Sequence, residues 1–367
     1  MLELLIKPVS GLCDLRCCYC FYRDLRARAA DPQNLRMDDE TLESLIRRAF
    51  HEEDACVSFA FQGGEPTLAG LDFFRRFSEL EALYRPENVA VQHILQTNGF
   101  GLSAEWVSYL KKEKFLVGIS LDGKENMHDV NRKDPSGRGS YARVTKTCRL
   151  LAEEKIPFNI LCVVSRENVG SPREIYTHFR ECGFDYLQFI PCLNPLQKNS
   201  GHAPDARAYG DFLSQIFDLW YADLAAGHAV HIRQFESIVD QMLGYAPHLC
   251  GSLGICSVQN VIEANGDVYP CDFYVLPAYR LGNVKSDSFT RMRTSAVARE
   301  FSEGSRPVPA ECRRCPLYPI CRNGCRRYRD NHGKNTLCEG YKRFFVHAAP
   351  ALGDLAERVR RSMQKKS

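Results

Sequence analysis

Short apolar runs alternate with segments of helical period along the first two-thirds of the chain. Short apolar runs at 2–9, 56–61, 89–95, 115–119, 158–164 and 186–190 have the length and composition of strands. Between them, apolar residues three and four apart predict helices over 39–52, 71–84, 103–112, 141–154, 171–182 and 205–224. In the first helix Leu42, Leu45, Ile46 and Phe50 share a face, and Asp38 or Asp39 supplies an N-cap. Six strand–helix repeats with apolar strands imply an α/β fold whose parallel sheet is buried on both faces. A curved, partial (β/α)6 barrel of the TIM type fits this count better than a closed barrel of eight. A flat doubly wound sheet is the alternative, but no G-x-G-x-x-G turn follows the first strand. The polar and glycine-rich segments follow the C-terminal ends of the strands, the rim where parallel barrels build their sites.

Near residue 230 the pattern changes. Segment 250–338 is rich in turn residues, with too little apolar periodicity to fold without a staple. A last helix begins near residue 341 and carries Phe344, Phe345, Leu352 and Leu355; its basic end, 358–366, reads as a solvated helix end or a frayed tail. The expected division is a barrel over 1–228, a cysteine-rich domain over 229–340, and a C-terminal helix with a basic tail over 341–367.

Composition narrows the chemistry. A net charge of +3 over 367 residues gives no reason to expect nucleic acid or an anionic membrane as partner. No run of eighteen apolar residues and no signal-peptide pattern appear, which points to the cytoplasm. Seventeen cysteines in such a chain are explained by metal or cluster ligation better than by disulfides, which a reducing compartment disfavours.

Three of those cysteines lie on one short loop as Cys13-x3-Cys17-x2-Cys20. Three thiolates can hold three irons of a 4Fe–4S cubane and leave the fourth open to a small molecule. A zinc loop is the alternative, although zinc sites usually pair cysteines as C-x2-C and take a fourth ligand. This spacing, with Tyr19 just before the last cysteine, resembles the cluster loop of the radical S-adenosylmethionine superfamily. Gln62-Gly63-Gly64-Glu65-Pro66 follows the second strand, where two glycines let backbone approach a ligand and offer carbonyls to its ammonium group. Beyond the fourth strand, Ser120 can bond a ribose hydroxyl or a carboxylate. Arg132 can clamp a carboxylate or else form a surface ion pair. Tyr19 and Leu193 are apolar enough to flank an adenine, and equally apt as core residues.

Eight further cysteines run Cys250-x5-Cys256-x14-Cys271 and Cys312-x2-Cys315-x5-Cys321-x3-Cys325-x12-Cys338. Eight ligands are what two fully ligated 4Fe–4S clusters need, with a pair of zinc sites as the alternative. The other six, Cys18, Cys56, Cys148, Cys162, Cys182 and Cys192, read as core thiols.

The C-terminal cysteines resemble the SPASM extension of radical S-adenosylmethionine enzymes. The strings Lys7-Pro8, Cys20-Phe21-Tyr22, 59–70 (FAFQGGEPTLAG), 95–99 (LQTNG) and 269–276 (YPCDFYVL) resemble anaerobic sulfatase-maturating enzymes. That resemblance, over residues 1 to about 350, implies a C-terminal SPASM iron–sulfur domain and three 4Fe–4S clusters with S-adenosyl-L-methionine. It implies Cys13, Cys17 and Cys20 as ligands of the first cluster. Cys250, Cys256, Cys271 and Cys325 would hold one auxiliary cluster, and Cys312, Cys315, Cys321 and Cys338 the other. S-adenosylmethionine contacts fall on Tyr19, Gly64, Ser120, Arg132 and Leu193. The proton acceptor falls on Asp272, with Tyr22 and Gln62 beside the substrate. The implied reaction oxidises a cysteine or serine of a sulfatase polypeptide to Cα-formylglycine, with a flavodoxin or ferredoxin as reductant. A SPASM maturase that crosslinks or epimerises a peptide is the alternative; it needs no aspartate after Cys271, and many such enzymes carry a leader-recognition domain not seen ahead of the first strand. A plain electron-transfer protein has no use for the 63–66 loop.

Overall fold

The computed structural model describes residues 1–22, 35–53, 55–196 and 201–364. Its strand–helix alternation follows the apolar pattern. β1 (Leu2–Ile6) leads to α1 (Asp39–Glu52), β2 (Cys56–Phe61), α2 (Leu71–Tyr84), β3 (Ala90–Thr97), α3 (Ala104–Lys112) and β4 (Leu116–Ser120). Then come α4 (Glu125–Asn131), α5 (Tyr141–Glu153), β5 (Phe158–Val164), α6 (Pro172–Glu181), β6 (Tyr186–Pro191) and α7 (Ala206–Ala225). The side chains of Asp38, Ser103 and Asp205 accept the first-turn N–H groups of α1, α3 and α7. β1 is shorter than its apolar run. Pro8 has no N–H to give a ladder, and Ser10 turns the chain with φ 48°.

More regular structure follows residue 230 than the apolar pattern predicts: β7 (His231–Ile232), α8 (Arg233–Met242), β8 (Val261–Ile262), β9 (Asp267–Tyr269) and β10 (Gly282–Asn283). After them come α9 (Phe289–Arg293), α10 (Ala296–Glu303), α11 (Ala310–Arg313), α12 (Tyr318–Cys321) and α13 (Cys338–Gln364). Strands of two or three residues are too short to show a period.

Contacts divide the chain into two compact units. The first comprises the described residues of Met1–Leu121, His128–Phe158 and Ser257–Ser302; the second comprises Asp122–Met127, the described part of Asn159–Cys256, and the chain from Glu303 onward. In the first unit the strand order is β10-β9-β8-β1-β2-β3-β4. Strands β1 to β4 are parallel, β8 adds parallel to β1 with Leu5 opposite Val261, and β9 and β10 return antiparallel. Phe59 and Phe61 of β2 meet Phe77 of α2 at centroid distances of 5.1 and 4.9 Å, all three fully buried. Each ring contributes roughly 1.5–3 kcal/mol of burial.

In the second unit β5, β6 and β7 are parallel neighbours. There α7 and α13 touch backbone to backbone at Gly210 and Gly340, where a Cβ on Gly340 would lie 2.0 Å from the Ala206 carbonyl oxygen. The basic end of α13 is an exposed helix end on which Glu357 pairs with Arg360 and Arg361; Lys365 and Lys366 lie outside the described residues. No helix among the described residues is long and apolar enough to cross a membrane.

Candidate active site

The three-cysteine loop is seated by the turn that follows β1. Gly64 donates its N–H to the Ser10 carbonyl at 2.9 Å, and Glu65 donates to Leu12 at 2.7 Å. A Cβ on Gly64 would lie 2.0 Å from the Leu12 carbonyl oxygen, so only glycine fits. Sequence reasoning assigned this glycine to the approach of a ligand. The structure shows that its bare backbone is needed first against residues 11 and 12, which lead into the cysteines.

Glu65 joins a third loop to the first two. It is fully buried, and its Oε1 accepts the Thr67 and Thr97 hydroxyls at 2.7 and 2.8 Å. Its Oε2 accepts the Asn98 N–H at 2.7 Å. Burial pushes its carboxyl up to about 7, while the bonds from Asn98, Thr67 and Thr97 pull the other way. Asn98 in turn donates from Nδ2 to Asp14 at 2.7 Å and approaches the Cys13 sulfur at 3.6 Å. The far side of the cysteine loop is held by Arg16 and Cys18, whose N–H groups donate to the Lys133 and Asn131 carbonyls. Glu65 and Asn98 stood inside quoted strings but were not singled out from sequence; mutual contact gives them their role.

That backbone pairing carries Arg132 to the loop. Arg132 is buried, and its guanidinium lies 5.6 Å from the Tyr19 ring centroid. Asp134, the neighbouring carboxylate that the sequence offered for a surface ion pair, pairs with Arg138. Ser120 closes β4 in the same unit. Leu193 belongs to the second unit, buried just past β6, where Cys192 donates its N–H to the Val164 carbonyl.

Asp272 is placed by strand pairing. Because β8 runs beside β1, Lys7 donates its N–H to Ile262 and lies next to Glu263. The hairpin turns at Gly266 (φ 85°), and β9 returns the chain toward Cys271 and Asp272. The buried Asp272 carboxylate accepts the Tyr22 hydroxyl at 2.5 Å and Gln62 Nε2 at 2.9 Å, both on Oδ2. Lys7 Nζ lies 3.0 Å from Oδ1 and donates to Glu263 at 2.7 Å. The Lys7 contact with Oδ1 is ionic, and that oxygen has no hydrogen bond of good geometry. Burial by itself would lower the Lys7 pKa, but the charges of Asp272 and Glu263 more than reverse this and hold it above the ordinary lysine value. Burial, then the Asp272 charge, holds the Tyr22 phenol well above its usual range. Lys7 and Glu263 were not identified from sequence as site residues. Lys7 stood only inside the quoted Lys7-Pro8 string, and a lysine within the apolar run 2–9 was a signal that could have found it.

Seven of the eight C-terminal candidate ligands gather in two places within the second unit. Cys312, Cys315, Cys321 and Cys338 line one cavity of about 320 Å³, walled by Pro316, Leu317, Tyr341 and Phe345. Cys325 packs against Gly251, and its thiol is pushed up to about 11 by burial, with Cys250 and Cys256 adding to the effect. Cys271 belongs to the first unit. Of the six thiols expected in the core, Cys148, Cys162 and Cys192 are buried and Cys56 is half-buried. Cys18 and Cys182 are exposed instead, since each sits where a loop or helix end faces outward.

Residues 8–179 match the radical SAM superfamily, and residues 254–316 match SPASM, an iron–sulfur cluster-binding domain. A cysteine-type anaerobic sulfatase-maturating enzyme of Clostridium perfringens (strain 13 / Type A) is 40% identical over 371 residues, covering 98% of this chain and 99% of that one. The chain belongs to the anaerobic sulfatase-maturating enzymes. A serine-type member from Bacteroides thetaiotaomicron is 30% identical over 374 residues, covering 95% of this chain and 90% of the relative. The solved structure of native anSMEcpe with bound AdoMet and Kp18Cys peptide superposes with a TM-score of 0.93 at 39% identity, covering 97% of this chain and 99% of that one. The fold is therefore the partial (β/α)6 barrel with a SPASM iron–sulfur domain, as the strand count and cysteine pattern led one to expect. The cofactors of this sulfatase-maturating enzyme are three 4Fe–4S clusters and S-adenosyl-L-methionine. The donors suit them: all-thiol sets, one grouped around a cavity and one on a loop whose Cys13 sulfur accepts the Leu15 N–H at 3.4 Å.

Proposed function

We propose that this enzyme oxidises a cysteine of a sulfatase polypeptide to Cα-formylglycine, with Asp272 as the base. The observation that carries the reading is the Asp272 carboxylate, next to Cys271 and held by Tyr22, Gln62 and Lys7. A cysteine substrate is favoured over serine by the higher identity to the cysteine-type relative, 40% against 30%.

When bound, S-adenosylmethionine and the clusters supply one-electron chemistry that removes a hydrogen atom from the substrate Cβ and accepts the electron left behind. Cys13, Cys17 and Cys20 would hold the first cluster. The auxiliary ligand sets would be Cys250, Cys256, Cys271 and Cys325 for one cluster, and Cys312, Cys315, Cys321 and Cys338 for the other. Tyr19, Gly64, Ser120, Arg132 and Leu193 would contact S-adenosylmethionine, with Arg132 positioned through its packing on Tyr19. Asp272 takes the thiol proton on its carboxylate, which Tyr22, Gln62 and Lys7 hold. Loss of a hydrogen atom, a proton and an electron turns CH2–SH into CH=S. Water then replaces sulfur to give the aldehyde and hydrogen sulfide. The partners are a sulfatase polypeptide and a flavodoxin- or ferredoxin-type reductant, neither a nucleic acid nor a membrane, and the setting is the cytoplasm.

The test incubates reduced, reconstituted enzyme with paired Cys- and Ser-containing sulfatase-motif peptides and follows peptide mass and 5′-deoxyadenosine. The cysteine peptide should become the aldehyde faster than its serine twin. A crosslinked or epimerised product would overturn the reading, and faster serine conversion would overturn the cysteine preference.

A further inference from the structure

We infer that Lys7 is a positioning residue for the Asp272 carboxylate, an assignment that rests on Asp272 being the base. Among the described residues Lys7 is the one buried lysine, its side chain 2% exposed. Burying an ammonium costs several kcal/mol unless it is well paired. The 2.7 Å contact with Glu263 already meets that need, yet Lys7 also reaches Asp272 Oδ1 at 3.0 Å and lies 4.7 Å from the Tyr22 ring centroid. It therefore touches the proposed base and one of the two residues that hold the base.

The geometry gives each contact a different task. Tyr22 and Gln62 converge on Oδ2, which fixes one end of the carboxylate. Lys7 faces Oδ1, the oxygen without a hydrogen bond of good geometry. A carboxylate held at both oxygens cannot turn about its Cβ–Cγ bond, so the base keeps one orientation. Lys7 is itself held: its N–H donates to Ile262, Glu263 takes its ammonium, and its stem packs on Gly63, where a Cβ would come within 3.1 Å of Lys7 Cγ. Glu263 thus anchors the lysine, and the lysine orients the base.

A misdirected base should leave hydrogen-atom removal intact while spoiling the step after it. The experiment compares the three-cluster holoenzyme with Lys7→Met, Lys7→Arg, Glu263→Gln and Asp272→Asn. It measures iron content, peptide KM, formylglycine formed and 5′-deoxyadenosine released. In Lys7→Met, kcat for formylglycine should fall by about tenfold to a hundredfold. Iron content and KM should stay near wild type, and 5′-deoxyadenosine per formylglycine should rise well above its wild-type value. Lys7→Arg should restore part of the coupling, and Glu263→Gln should raise the ratio less than Lys7→Met. A wild-type ratio and rate in Lys7→Met would overturn the assignment. So would parallel loss of iron and both products in Lys7→Met with an unchanged ratio in Lys7→Arg and Glu263→Gln, since that is packing alone. Full turnover in Asp272→Asn would remove the base reading and this inference with it. An inactive Asp272→Asn beside Lys7 variants of wild-type ratio would remove only the role of Lys7.

Discussion

Residues 7, 22, 62 and 272 come from separate parts of the chain and meet at one carboxylate. Asp272→Asn keeps the size of that group and loses its capacity to accept a proton. Formylglycine formation should fall by on the order of 10² or more with cluster content retained, as read by product mass and iron analysis. Gly64 poses a different problem, because its environment is backbone rather than ligand. Gly64→Ala puts a methyl 2.0 Å from the Leu12 carbonyl oxygen, so the chain leading to Cys13 must move. The expected result is loss of about four irons and of 5′-deoxyadenosine release together. Retention of both would show that the turn can absorb the methyl.

Helices and hairpins carry these residues to their places. The β8–β9 hairpin brings Cys271 and Asp272 back toward β1, and its tight turn depends on Gly266 at φ 85°. In the second unit the α7–α13 contact depends on a glycine from each helix. Gly340→Ala would set a methyl 2.0 Å from the Ala206 carbonyl and force the helices apart. It should destabilise the protein by about 1–3 kcal/mol, read as a lowered thermal midpoint. An unchanged midpoint would mean the crossing is looser than its geometry indicates.

For the whole molecule, three clusters predict about twelve irons per chain after anaerobic reconstitution. Eleven cysteines are assigned to them, and Cys18 is not among the eleven. It is exposed, and its N–H is already given to Asn131. Cys18→Ser should therefore retain the full iron complement, measured by iron analysis and the visible absorption of the clusters. Loss of a cluster would mean the ligand set of the first loop is misread. Zinc in place of iron in the C-terminal region would remove the auxiliary clusters.

The sequence by itself determined what depends on neighbours along the chain. Short apolar runs and the 3.6 period gave the six strand–helix repeats; Asp38 or Asp39, Ser103 and Asp205 stood at helix starts; thiol spacing pointed to cluster chemistry. Tertiary structure alone decided what meets across long separations. Lys7 and Glu263 pair across 256 positions because a two-residue strand adds beside β1, and two residues carry no period to read. The same holds for Arg132, whose burial against Tyr19 follows from backbone bonds between the cysteine loop and residues 131 and 133. Gly64 was visible as a conformationally free residue, but the atom that forbids a side chain there, the Leu12 carbonyl oxygen, belongs to another loop.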